Sequence, residues 1–207
     1  MELSGWAGSL YRLCEWVMRL AYVNLLWVVF TLAGLIVFGA MPATLAMFAV
    51  ARRWVMGDGD VPVFPLFWKV YQAEFKRANG LGLLFGAFGF FLYVDLIYFE
   101  TFFSHGLVFQ VGYCFFLALS ILFFLTLMFA LPYFAHFQDG MLRSLYSSFL
   151  LAMSHPVCVL RMLAGTLAIY YIVWYLPGLQ LFFSASALSV WLMWNAMKVF
   201  DTVAMKE

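Results

Sequence analysis

Apolar residues run through this chain in long blocks, and the few polar positions between them outline the elements. Over residues 3–20, Leu3, Trp6, Leu10, Leu13, Val17 and Leu20 recur every three or four positions, with Arg12, Glu15 and Arg19 on the opposite face. Glu15 precedes Arg19 by one helical turn, the favourable order for an ion pair. Residues 1–19 therefore suit either an amphipathic helix at a membrane interface, with Trp6 and Trp16 at headgroup level, or the wet end of a longer first helix. Residues 20–38 are almost uninterruptedly apolar and reach roughly 28 Å as a helix, enough for a hydrocarbon core of about 30 Å. Gly39 and Pro42 predict the end of that helix, since proline has no donor for the preceding turn and fits best in a new first turn. A second helix from Pro42 to Met56 would be roughly 22 Å long, short for a span. It is either a tilted crossing with Arg52 and Arg53 snorkelling to the interface or a helix lying in the protein. Residues 20–56 thus form an uneven helical hairpin.

Gly57-Asp58-Gly59-Asp60 reads as a turn, and Pro62 and Pro65 lead into a second amphipathic segment, residues 65–78. Phe67, Tyr71, Phe75 and Ala78 share one of its faces, and Lys69, Gln72 and Lys76 share another. That helix, within a loop of residues 57–78, can lie on anionic lipid or present a docking surface. Four further helices fill residues 79–200, at 79–99, 107–135, about 157–176 and about 179–200, before a tail of residues 201–207. Gly82, Gly86 and Gly89 put small residues on one side of the first of these, where another helix can approach closely. The segment 107–135 is longer than a span and predicts tilt or projection into water, with Pro132 distorting its end.

Composition turns this pattern into a fold class. Only 10% of the residues are charged and 67% are hydrophobic, with a mean hydropathy of +0.98. Water-soluble domains carry about 25% charged residues, so lipid must solvate most of this surface. The prediction is an all-α polytopic transmembrane bundle forming one domain, with six membrane helices, the second short, plus an interfacial amphipathic helix. If the short helix crosses, all eleven Lys and Arg residues fall on one side, and the turns near 39–42, 100–106 and 177–180 carry none. The positive-inside tendency then places both termini in the cytoplasm. A net charge of +1 offers nothing to nucleic acid, and no basic segment precedes the first apolar run as a cleavable signal would require.

Candidate chemistry is sparse. Cys14, Cys114 and Cys158 form no CxxC pair and read as packing residues, so neither a disulfide nor a zinc site is expected. His136 and Asp139 do not make HExxH, and GxSxG and GxxxxGK[ST] are absent. No catalytic residue, metal or cofactor is therefore predicted, and the chain reads as a non-enzyme. Ionisable and amide groups at membrane depth are the remaining suspects. Asn24, Asp95 and Asn195 are the candidate functional or packing polar residues; for each, a structural hydrogen bond is the simpler reading. Arg52, Arg53, Trp54, Lys69, Lys76 and Arg77 are the candidates for docking a partner or lipid.

Asn24-Leu25-Leu26-Trp27, Thr31-Leu32-x-Gly34, Phe38-Gly39 with Pro42-Ala43-Thr44, Arg52 to Trp54, and the helix from Phe67-Trp68 to Phe75 carry a resemblance in order and spacing. From Asn24 to about Gly82 the chain resembles the YesL family (DUF624) of bacterial integral membrane proteins; the remainder is similar in hydropathy and length. The resemblance implies residence in the bacterial cytoplasmic membrane and an accessory role beside a carbohydrate ABC importer or sensing system. Its implied partners are the bilayer and the importer's permease subunits, and a homo-oligomer is compatible with it. Ala73, Glu74 and Gly80 do not reproduce the EAA loop of a permease subunit. The competing expectation is an independent small-solute transporter or channel, with Asp95, Asn24 or Asn195 lining a polar cavity.

Overall fold

The computed structural model describes residues 6–137 and 139–204. Among these residues eight α-helices follow in order: α1 (Trp6–Ala33), α2 (Val37–Val55), α3 (Val63–Ala73), α4 (Phe75–Thr101), α5 (Leu107–His136), α6 (Met141–Ser154), α7 (Pro156–Tyr175) and α8 (Pro177–Ala204). A 3-10 turn, Phe103–His105, joins α4 to α5, and no strand occurs among the described residues. The chain is a polytopic helical bundle. Stretches in α1 (from Leu10), α4, α5 and α7 are long and apolar enough to cross a membrane by length and composition.

Side-chain pairs fix the helix directions. Trp16 meets Trp54 and Trp27 bonds Thr44, so α1 and α2 are antiparallel. Phe88 packs on Phe123 and Phe99 on Phe116, which makes α4 and α5 antiparallel. In α7 and α8 the pairs are Cys158 with Asn195 and Met162 with Trp191. Helix α2 lies among α1, α3, α4, α5 and α8. Its small residues Ala43, Ala46, Val50 and Ala51 are buried and let those neighbours approach. Protein, more than lipid, therefore surrounds α2, whose two arginines stand at its last turn, Arg52 bonded to carbonyls of α5 and Arg53 exposed.

Several sequence boundaries shift. The first helix is one unit from Trp6, the second of the two options for its N-terminal half; residues 1–5 lie outside the described residues. The hairpin turns at Gly34–Ile36, not at Gly39–Pro42, and α2 is 19 residues long with Pro42 inside it. The turn's bonding explains this. Ile36 N–H donates to the Thr31 carbonyl (2.8 Å) and Leu35 N–H to Leu32 (3.0 Å), the pattern of a Schellman end. The left-handed position of that motif falls on Leu35 (φ 57°), and Ile36 follows at φ 65°. Gly34 does not take that position because it and Gly39 bring α1 and α2 into backbone contact. A Cβ on Gly39 would stand 2.5 Å from the Thr31 carbonyl oxygen. Pro42 costs one ladder bond in the second turn without ending the helix.

The amphipathic segment also differs from the expected 65–78. Helix α3 ends at Ala73, Glu74 makes a corner, and Phe75 to Arg77 open α4. Phe67 and Tyr71 are buried against α1 and α2 around Phe30, whose ring also meets Phe64 and Trp68. Tyr71 donates to the Phe30 carbonyl (3.2 Å), and burial pushes its phenol pKa up, keeping it a neutral donor. Ala78 belongs to a different cluster, with Leu45, Leu81 and Phe134. The apolar face of α3 is therefore occupied by the protein itself. The region 79–200 holds the amphipathic helix α6 in addition to the four expected helices, with Ser144, Ser148 and Ala152 buried on one face. Helix α8 continues to Ala204; residues 205–207 of the expected tail are outside the described residues. Gly82 packs on Met41 of α2, whereas Gly86 of the same glycine stripe faces open space.

Candidate functional site: a basic cleft at one end of the bundle

Contacts among charged groups locate them at one end. Arg19 pairs with Glu15 and lies 4.0 Å from Asp60. Arg52 reaches the end of α5, and Arg77 reaches the main chain of Asp139 (2.6 Å). Arg161 and Lys198 line a shared cavity of about 400 Å³ with His155. Phe200 packs on Tyr133 and His136, tying that cavity to the same end. The turns at the other end, Gly34–Ile36 and Phe102–Gly106, contain no Lys or Arg. We refer to these as the basic end and the far end.

At the basic end a cleft of about 310 Å³ opens between the last turns of α2, the length of α3, the Glu74 corner and the end of α5. Arg52, Arg53, Lys69 and Arg77 line it, with Glu74 as the lining carboxylate. Arg52 projects from the last turn of α2 and donates through Nη1 to the carbonyls of Ala135 (3.2 Å) and His136 (3.4 Å). A cation there complements the negative end of the α5 dipole and its unpaired carbonyls. Its Nε is buried without a partner, as is Nδ1 of His136 beside it. Arg77 is held three ways, by Glu74 (3.3 Å), the Asp139 carbonyl, and the Phe134 ring 5.0 Å away. Asp139 in turn accepts from the Tyr133 hydroxyl (2.8 Å). Arg53 pairs loosely with Asp58 (3.8 Å) at a half-exposed site. Lys69 is exposed at the cleft wall.

Four of the six docking candidates thus meet in one cleft. Trp54 does not; it is buried on the opposite side of α2, edge-on to Trp16 at 5.8 Å. Lys76 is exposed outside the lining. The polar candidates are scattered. The Asn24 amide inserts into the backbone of α8, donating to Leu181 (2.6 Å) and accepting from the amides of Ala185 (3.1 Å) and Ser186 (3.0 Å). Asn195 donates to Trp191 one turn earlier (2.9 Å), and its Oδ1 is buried without a partner. Asp95, half-buried on α4, has Oδ2 in the same condition. Among the described residues, no group of three or more His, Cys, Asp and Glu is placed to hold a metal ion.

The cleft's remaining wall was not visible from sequence. It consists of the main-chain carbonyls at the end of α5 and the ring of Phe134, and main-chain groups leave no residue signature. His136 at a predicted helix end, followed by Asp139, was the available hint.

Comparison with known proteins gives the chain relatives along nearly its whole length. The profile of the family described as "Protein of unknown function, DUF624" matches residues 20–96. Three proteins of Bacillus subtilis (strain 168) are similar over more of the chain. "Uncharacterized protein YteU" is 44% identical over 191 residues, which are 91% of this chain and 84% of that one. "Uncharacterized protein YesL" is 37% identical over 97% of this chain and 94% of its own length. "Uncharacterized protein YesV" is 36% identical over 93% and 92%. No solved structure matches. The similarity thus extends well past Gly82, through the cleft's α5 wall and on into α8, and with these relatives the chain belongs to the YesL family, DUF624.

Proposed function

We propose that this protein is a non-enzymatic accessory subunit in the bacterial cytoplasmic membrane. It docks through its basic end onto the permease subunits of a carbohydrate ABC importer or an associated sensing complex. The observation that carries this reading is the gathering of the cations at one end, around α3 and the cleft, with Arg53, Lys69 and Lys76 exposed there. On this reading α1, α2, α4, α5, α7 and α8 make six passes, both termini are cytoplasmic and the basic end faces the cytoplasm. Co-purification from native membranes tests it: tagged chain extracted in mild detergent should bring importer permease subunits with it. A chain recovered alone from cells expressing the importer would overturn the reading.

One observation favours the alternative of an independent small-solute transporter. Asp95 presents a buried, unpartnered carboxylate oxygen within a long apolar helix, an arrangement typical of residues on a transport path. Liposomes containing only this protein should then show solute or proton flux that is lost in Asp95→Asn.

A further inference from the structure

The cleft between α2, α3 and the end of α5 holds more positive charge than its surroundings neutralise. Of its four lining cations, Arg77 is paired with Glu74, and Arg53 has Asp58 at 3.8 Å. Arg52 and Lys69 have no carboxylate within 4.0 Å among the described residues. Arg52 is the more telling case. Its guanidinium is only partly exposed, it is held by neutral carbonyls, and its Nε donor is left over. Charges withdrawn from water are ordinarily paired, so a cleft in which carboxylates answer Arg77 and Arg53, but neither the partly buried Arg52 nor Lys69, can take up an anion.

The donors define that anion. Guanidinium groups and a flexible ammonium lining one space match an oxyanion with several acceptor oxygens better than a single carboxylate. The volume of about 310 Å³ admits a phosphate with a small organic group attached. Leu45, Leu66 and Val70 supply an apolar side against which that group can rest. By contrast, the cavity around Arg161 and Lys198 has no enclosing wall of guanidinium groups, and Lys198 is engaged over the Trp194 ring. The groove between α4, α5 and α6 is lined by apolar side chains and Thr126, and suits lipid tails.

We propose that this cleft binds an esterified phosphate, with Arg52 and Lys69 as the ligating cations that are otherwise uncompensated and Arg77 as the fixed third. The phosphate can belong to an anionic phospholipid headgroup or to a soluble phosphate ester; the recognition chemistry is the same. The inference needs no partner protein, and its test uses purified chain alone, so its outcome is independent of the importer reading.

The full chain is purified in mild detergent, delipidated and examined in two arms. In the first, native mass spectrometry counts phosphatidylglycerol retained against phosphatidylcholine offered at equal concentration. In the second, calorimetry titrates glycerol 1-phosphate into the chain in phosphatidylcholine nanodiscs. Binding in the first arm alone identifies a lipid headgroup, and binding in the second identifies a soluble ester; either supports the site. Arg52→Gln and Lys69→Gln should each weaken that binding about tenfold, the loss of one hydrogen bond to a charged group. Lys76→Gln, outside the cleft, should leave it unchanged. Lys69 is exposed, so its variant folds even if Arg52→Gln does not. Failure of both arms overturns the proposal. So does binding that survives Lys69→Gln, or that falls equally in Lys76→Gln, because the attraction would then be diffuse surface charge.

Discussion

The turn at the far end and the cleft at the basic end solve opposite problems with the same short stretch of chain. At Gly34–Ile36 the backbone donors are all satisfied within the turn. The N–H groups of Gly34, Leu35, Ile36 and Val37 donate to Phe30, Leu32, Thr31 and Leu35. The side chains that point out are apolar, with Leu35 80% exposed and Val37 74%. A turn that satisfies its own donors and displays only hydrocarbon is built for lipid, where an unpaired N–H costs several kcal/mol. It accepts left-handed dihedrals at two non-glycine residues to do so. Sixteen residues beyond Ile36, the same hairpin ends in Arg52 and Arg53, whose charge is left partly unanswered. One end is self-sufficient and strained; the other is unstrained and incomplete.

Labelling gives the largest effect with which to break that contrast. A cysteine at Leu35 should resist a membrane-impermeant maleimide added to sealed vesicles of either orientation. A cysteine at Ser104, exposed in the turn beyond Glu100, should react from one side. Rapid labelling at position 35 would show that the turn stands in water and that its apolar display has another cause. Next in size is Gly39→Ala. The added methyl would meet the Thr31 and Phe30 carbonyl oxygens at 2.5 and 2.6 Å, backbone atoms that cannot move aside cheaply. Thermal unfolding in detergent should register a loss of about 3 kcal/mol, the upper range for overpacking. Gly86→Ala, which faces open space on α4, is the matched control and should be near neutral.

Asn24→Leu comes third. It removes three bonds from the α1–α8 contact, and interhelical bonds in membrane proteins average about 0.6 kcal/mol each, so a loss of about 2 kcal/mol is expected. A neutral result would mean that the insertion is tolerated by α8 and not required by it.

These positions also show what could be read in advance. Long apolar blocks translate directly into helices in lipid, because no other backbone arrangement satisfies its polar groups there; α4, α5, α7 and α8 fall close to where hydropathy puts them. The hairpin turn lies ahead of where the sequence places it, because Pro42 and Gly39 are the usual helix-end residues. Here Gly39 serves a close backbone contact and Pro42 sits within the helix. Helix α6 has no place in a reading built on spans because its 14 residues are too short to cross a membrane, and its periodicity is inverted, with Leu142, Tyr146, Phe149 and Met153 exposed and the small Ser144, Ser148 and Ala152 buried. At the site, the cations of residues 52–77 were legible as a group. That four of them share one cleft was not, since the Glu74 corner and the α5 carbonyls that shape it are tertiary features.

The smallest effect is the most discriminating test of the basic end. If the cleft is incomplete without an anion, its cations repel one another in the free protein, and removing one should help folding. Lys69→Gln is the cleanest choice because Lys69 is exposed, makes no ion pair among the described residues, and packs at the wall and not in the core. Like charges near a protein surface interact weakly, so the expected gain is only about 0.3 kcal/mol at low ionic strength. The gain should shrink as salt shortens the Debye length from about 30 Å at 0.01 M to about 8 Å at 0.15 M. It should also reverse sign when a phosphate ester saturates the wild-type cleft, because the ligand then stabilises only the chain that binds it. A variant that is less stable than wild type at low salt and without ligand would mean that Lys69 is already compensated in the folded chain. The contrast between a finished far end and an unfinished basic end would then fail at the basic end.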